Sequence, residues 1–139
     1  MSNMIRIHIT FPNPEQVGVA GETVWAEKKS GNTAEVMNIP FFADDISLGD
    51  IVKIKRKDDM WEVVGVKTKV SNHILVSYDK EGDAQKKYKA LATYLDKHKV
   101  RIESAALGIA SIAYPAIMDE DMITEILDSA PHLTEYALN

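Results

Sequence analysis

The sequence predicts an α+β fold: an N-terminal small antiparallel β-barrel or twisted sheet packed on a C-terminal ferredoxin-like β-α-β-β-α-β unit. Three observations carry the prediction. Short segments of alternating polarity fill the first half of the 139 residues, separated by turn residues at regular spacing. Amphipathic helical periodicity occurs twice, both times in the second half. Strand-like segments surround each of those helices.

Met4 to Phe11 alternates Met4, Ile5, Ile7 and Ile9 with Arg6, His8 and Thr10, the pattern of a half-buried strand, and Pro12 and Pro14 end it. Glu22 to Lys28 and Thr33 to Phe42 read as a hairpin around Ser30-Gly31-Asn32. Beyond the turn residues Ala43-Asp44-Asp45 and Leu48-Gly49-Asp50, Ile51 to Lys57 and Met60 to Val70 form another strand pair around Asp58-Asp59. Ile74 to Tyr78 is a strand. Ala84 to Lys97 sets Tyr88, Leu91, Ala92 and Leu95 on one helical face and leaves Lys86, Lys87 and Lys89 to water. Val100 to Glu103 and Gly108 to Tyr114 read as a strand pair that Pro115 ends. Met122, Ile123, Ile126 and Leu127 give a second amphipathic helix, and Leu133 to Leu138 a closing strand. The Val70 to His73 junction lacks the Pro, Gly or Ser enrichment of a flexible linker. The expectation is therefore one compact domain over 1–139, with a β-rich half (1–70) and a ferredoxin-like half (71–139).

Composition bounds the function. With 45% hydrophobic and 27% charged residues the chain sits in the globular range. The absence of cysteine excludes disulfides, thiolate metal sites and a cysteine nucleophile, and it fits a reducing compartment. The N-terminal residues lack the apolar stretch of a signal peptide, and there is no run of about twenty apolar residues, so the expected location is the cytoplasm, with no membrane partner. The net charge of −5 argues against a nucleic-acid ligand. Its distribution says more. From Ile102 to Asn139 there are seven acidic residues and no Lys or Arg.

Motifs for catalysis are missing. His8, His73, His98 and His132 fall on different elements without the spacing that sets two on one helical face, so no metal or other cofactor is expected. His98 reads as a favourable charge at a helix C-terminus. Gly18 and Gly21 read as turn glycines rather than a phosphate loop, and no serine sits in a nucleophile elbow. Lys53, Lys55 and Lys57, with Lys67, Lys69 and Trp61 on the neighbouring strand, suggest a basic stripe, but Asp50, Asp58, Asp59 and Glu62 offset it. Asp119, Glu120 and Asp121 point in different directions around a helix and cannot share a proton. Asp119 reads as the helix cap, and Glu120 and Asp121 complement the positive end of the dipole. Together with Glu125 and Asp128 they form a candidate partner-docking surface.

The stretch Glu22 to Val52, with ETVWAEK and NIPFFADDISLGDIV, resembles a bacterial family catalogued as domain of unknown function 4265. The likeness runs on through Asn72-His73, Tyr114-Pro115 and Glu135-Tyr136. Asn38-Ile39-Pro40-Phe41-Phe42 followed by Leu48-Gly49-Asp50 carries it best and reads as the shaping of a barrel rim. The resemblance implies no catalytic residue and no cofactor. A small, acidic, cysteine-free domain of this kind is also similar to the immunity proteins of polymorphic toxin systems, including contact-dependent growth inhibition. That likeness implies an antitoxin that is no enzyme and binds its cognate toxin one-to-one. The target is expected to be a basic nuclease (RNase), with Asp119, Glu120, Asp121, Glu125 and Asp128 as the contacting residues. The alternative is a bacterial regulatory or small-ligand-binding domain.

Overall fold

The computed structural model describes residues 3–138. The chain divides into two compact units, one up to Ser71 and one from Asn72 onward.

In the first unit, β1 (Met4–Thr10), β2 (Gly21–Lys29), β3 (Thr33–Val36), β4 (Ile51–Lys57) and β5 (Met60–Thr68) form a closed barrel. Consecutive strands pair antiparallel. The ring closes through a parallel contact between β1 and β5, at Ile7 with Trp61 and His8 with Glu62. This corrects the expectation of an all-antiparallel barrel. Five strands that alternate in direction leave the first and last pointing the same way, so only a parallel pair can close them. The two-residue period turns Ile7, Ile9, Val24, Ala26, Val52 and Ile54 inward, all buried. A one-residue slip in pairing would send them to solvent.

The β2–β3 turn places Gly31 and Asn32 at φ 69° and 55°, left-handed conformations that glycine and asparagine adopt at little cost. A short helix that the sequence reading omitted, α1 (Pro14–Val17), follows β1. It has the marks of a single turn, with proline at its start and Gly18 at φ 91° as its left-handed cap.

β3 is shorter than the predicted Thr33 to Phe42 and stops at Val36. The chain beyond it is tied to β2 by side-chain hydrogen bonds. Asn38 Oδ1 accepts from the Trp25 backbone N–H at 2.8 Å. The Glu22 carboxylate accepts from three successive backbone N–H groups, those of Phe41 (2.7 Å), Phe42 (2.9 Å) and Ala43 (3.0 Å). Pro40, which has no N–H to offer a ladder, is itself fully buried. We expect Glu22→Ala to lower stability by about 1–3 kcal/mol in urea denaturation, because two of the three donors it strands are partly buried. Glu22→Gln keeps an acceptor and is expected to cost less.

A second carboxylate fixes the far end of the same loop. Asp50 is 0% exposed and accepts from the N–H groups of Ser47 (2.9 Å), Val70 (2.8 Å) and Ser71 (3.2 Å) and from Lys69 Nζ (2.7 Å). Ser71 Oγ donates to the Leu48 carbonyl at 2.6 Å. Gly49, at φ 85°, passes so close to Val70 that a Cβ there would stand 2.9 Å from Val70 Cγ2.

The second unit carries a four-stranded sheet in the order β7-β8-β6-β9, built from β6 (Ser71–Tyr78), β7 (Arg101–Ala106), β8 (Ile109–Pro115) and β9 (Leu133–Tyr136). Its helices are α2 (Ala84–Lys97) and α3 (Glu120–Asp128), and Leu91, Leu95, Ile123 and Leu127 join Ile74, Val76 and Ile112 in one core. Tyr94 donates its hydroxyl to the Ile126 carbonyl at 2.7 Å, tying α2 to α3. Lys86 and Lys89 are exposed as expected, whereas Lys87 turns back to Asp79 (2.8 Å) and the Glu81 carbonyl (2.7 Å). No described helix is long and apolar enough to cross a membrane.

Candidate functional site

The five carboxylates singled out in the sequence occupy one element. Asp119 is the N-cap of α3: its side chain accepts from the Met122 N–H at 2.8 Å, which satisfies one of the orphan donors of the first turn. Glu120 and Asp121 follow in that turn, where the positive end of the dipole favours them. Burial of Ile123 and Leu127 fixes the helix rotation, and all five acids are exposed. Asp121, Glu125 and Asp128 are spaced by four and three residues and therefore form one continuous stripe.

Within this stripe Asp121 complements the helix dipole, whereas Glu125 and Asp128 do not. Like charges three or four residues apart are destabilising by about 0.2–0.5 kcal/mol per pair. Asp128 also sits at the negative end of the dipole, where a cation is the favourable choice and the last turn has none. The Tyr136 hydroxyl compensates in part, donating to Asp128 Oδ1. That hydrogen bond is the main reason the Tyr136 pKa lies above the usual tyrosine range. Tyr114, whose hydroxyl is raised first by burial and then by the Glu120 charge, lies near the other end of the helix.

Met122 departs from the sequence reading, which set it on the buried face; it is 50% exposed. A second exposed apolar residue is one that reading missed. Ile117, in the turn between β8 and α3, is 96% exposed. The signal was an isoleucine outside both the two-residue and the 3.6-residue periods, in a segment bounded by Pro115 and the cap.

The remaining candidates are dispersed. His8 contacts Thr23 Oγ1 at 3.2 Å, His73 is buried on β6, and His98 forms the C-cap of α2 with its ring centre 4.6 Å from that of Tyr94. Among the described residues no group of three or more His, Asp or Glu is placed to hold a metal ion. Lys53, Lys55 and Lys57 are exposed on alternate positions of β4. Trp61 does not share their face. It pairs with Arg56, packs partly buried against the barrel core, and has Arg56 and Lys28 over its ring at 5.3 and 5.4 Å. Asp50, counted in the sequence as offsetting the stripe, is fully buried, and of the stripe's lysines it pairs with Lys69.

A profile of the family described as "Domain of unknown function (DUF4265)" matches residues 22–133. The chain belongs to this family. The family's span opens at Glu22, takes in Asn38 and Asp50, and so includes both carboxylate clasps of the Met37 to Asp50 loop. It also includes Ile117 and the whole of α3. Within it the NIPFF and LGD segments have a structural task, holding irregular backbone where a strand would otherwise continue. No curated protein matches the chain. Among solved structures, a hypothetical protein from Neisseria gonorrhoeae is similar at a TM-score of 0.66 and 20% identity, over 92% of this chain and 85% of that one. That likeness shows a shared fold.

Proposed function

We propose that this member of the family is a cytoplasmic immunity protein that binds a cognate bacterial toxin one-to-one and neutralises it. The toxin is a basic nuclease domain, an RNase, and the inhibitor covers its active site or substrate cleft without performing catalysis of its own. The supporting observation is the carboxylate stripe of α3, exposed to solvent along the helix and running on to Asp128, where the dipole disfavours a negative charge. Against a nuclease the stripe has a direct use. Clefts that bind a polyanion are lined with Lys and Arg, so an acidic face accelerates encounter and its carboxylates can take the places of phosphates.

We read the second unit as ferredoxin-like. Its elements run β-α-β-β-α-β from β6 to β9, with β8 inserted between β6 and β7 and β6 inserted between β8 and β9, as two interleaved split βαβ motifs require.

The functional test captures the partner of this chain from its own cells by affinity and expresses the captured protein's toxin domain with and without this chain. That domain alone is expected to arrest growth when expressed in the cytoplasm. Co-expression of this chain should restore growth, and the two should purify as an equimolar complex without nuclease activity. Growth arrest that persists with the chain abundantly present would reject the immunity reading.

A further inference from the structure

The most exposed large apolar side chain among the described residues is Ile117, at 96%, and it stands at the entrance to the acidic helix. Pro115 to Met118 make a β-turn, closed by the Met118 N–H donating to the Pro115 carbonyl at 3.0 Å. Ile117 is the second central residue of that turn, a place that Asn, Asp, Ser or Gly commonly fills. Isoleucine there buries nothing and gains nothing for the fold. The turn itself is held firmly: Met118 packs against the core of the second unit, and Asp119 is locked as the cap of α3. A rigid scaffold therefore holds an apolar side chain out in water, a pre-organised arrangement that loses little entropy on binding.

We propose that Ile117 is the apolar anchor of a protein interface and enters a nonpolar pocket in a basic partner. The proposal rests on the immunity reading and deepens it by naming the residue that supplies the short-range part of the affinity. Charge decides the occupant. Asp119 lies two residues from Ile117, at most about 7 Å along the chain, and Glu120 and Asp121 follow directly. A second copy of this chain would bring the same carboxylates against themselves, and an anionic lipid surface would repel them. A protein pocket rimmed by Lys and Arg matches both the apolar tip and its acidic surround. Anchors of this kind, a buried apolar side chain ringed by polar contacts that exclude water, carry most of an interface's energy.

The probe is the basic RNase domain recovered with this chain by affinity capture from its own cells, purified and titrated against the full chain. Ile117→Asp is expected to keep the thermal midpoint and to lose at least about thirtyfold in affinity. The loss should appear mainly as faster dissociation. Ile117→Asn, a residue suited to the turn, should lose affinity in the same way. Leu107→Asp, which alters another exposed apolar residue (65%) in the β7–β8 turn, should leave affinity unchanged. If both Ile117 variants bind as tightly as the wild type, the anchor is wrong and the immunity reading stands. If the wild-type chain does not bind the domain at all, that reading falls and the anchor with it. Two further outcomes overturn the basic-protein occupant. One is a wild-type dimer that Ile117→Asp converts to monomer; the other is wild-type binding to phosphatidylglycerol vesicles that Ile117→Asp abolishes.

Discussion

Asp50→Ala is expected to destabilise the barrel unit by about 3–5 kcal/mol, the usual loss when one member of a buried, hydrogen-bonded charge pair is removed. The backbone supplies much of that loss. The Lys69 ammonium is 34% exposed and can return to water. The N–H groups of Ser47, Val70 and Ser71 would lose the acceptor they share, two of them in buried residues. Asp50→Asn keeps one oxygen acceptor but turns an N–H₂ toward donors, so an intermediate loss is expected. Both tryptophans, Trp25 and Trp61, lie in this unit, so urea unfolding followed by tryptophan fluorescence reports on it directly. A midpoint that barely moves would mean that the Met37 to Asp50 loop is held by other contacts. Far-UV circular dichroism of the same samples follows α2 and α3 in the other unit. Coincident transitions by the two probes are the outcome expected of one cooperative domain, and separated transitions are the outcome expected of two.

Much of this fold can be read in the chain. The 3.6-residue spacing of Leu91 and Leu95 marks α2 over the same residues in sequence and structure, because burial of one face dictates both. The alternation of β1 and the Ser30-Gly31-Asn32 turn are equally local and equally visible. What escaped is non-local. Nothing in the residues after Val36 says that they leave the ladder, because their N–H groups are taken by Glu22, about twenty residues earlier. Asp50 was legible as a turn residue and as a charge. Its inward direction depends on Val70 and Ser71, which the sequence does not bring near it. The parallel closure of β1 on β5 follows from counting strands, yet it requires knowing that the ring closes at all. At the candidate site the cap and the acidic stripe follow from helical spacing. Met122 was misplaced by about one position around the helix, since a four-residue apolar cluster does not fix which edge of it faces water.

The second large effect belongs to the stripe. Glu120→Gln, Asp121→Asn, Glu125→Gln and Asp128→Asn combined should leave the fold intact. Relief of the repulsions along α3 offsets the favourable dipole interaction lost by Glu120 and Asp121, each term a few tenths of a kcal/mol. Asp119→Ala is the contrast. It removes the cap of α3 and is expected to cost about 0.5–2 kcal/mol of stability whatever the partner does. On toxin binding the order reverses, with the quadruple variant impaired chiefly in association. If one of these carboxylates is desolvated against a toxin Lys or Arg, its loss also appears in dissociation, at about 2–5 kcal/mol.

Steering by the α3 carboxylates is read most directly from the association rate of the wild-type chain and of the quadruple variant with the toxin domain, at roughly 10 mM and 150 mM salt. Over that range the Debye length contracts from about 30 Å to about 8 Å. The wild-type rate should fall steeply with salt. The quadruple variant should associate about tenfold or more slowly at low salt and show a flattened dependence, because the field that steers encounter has been removed. Equal rates and equal salt slopes for the two proteins would make α3 a solvated face with no part in recognition.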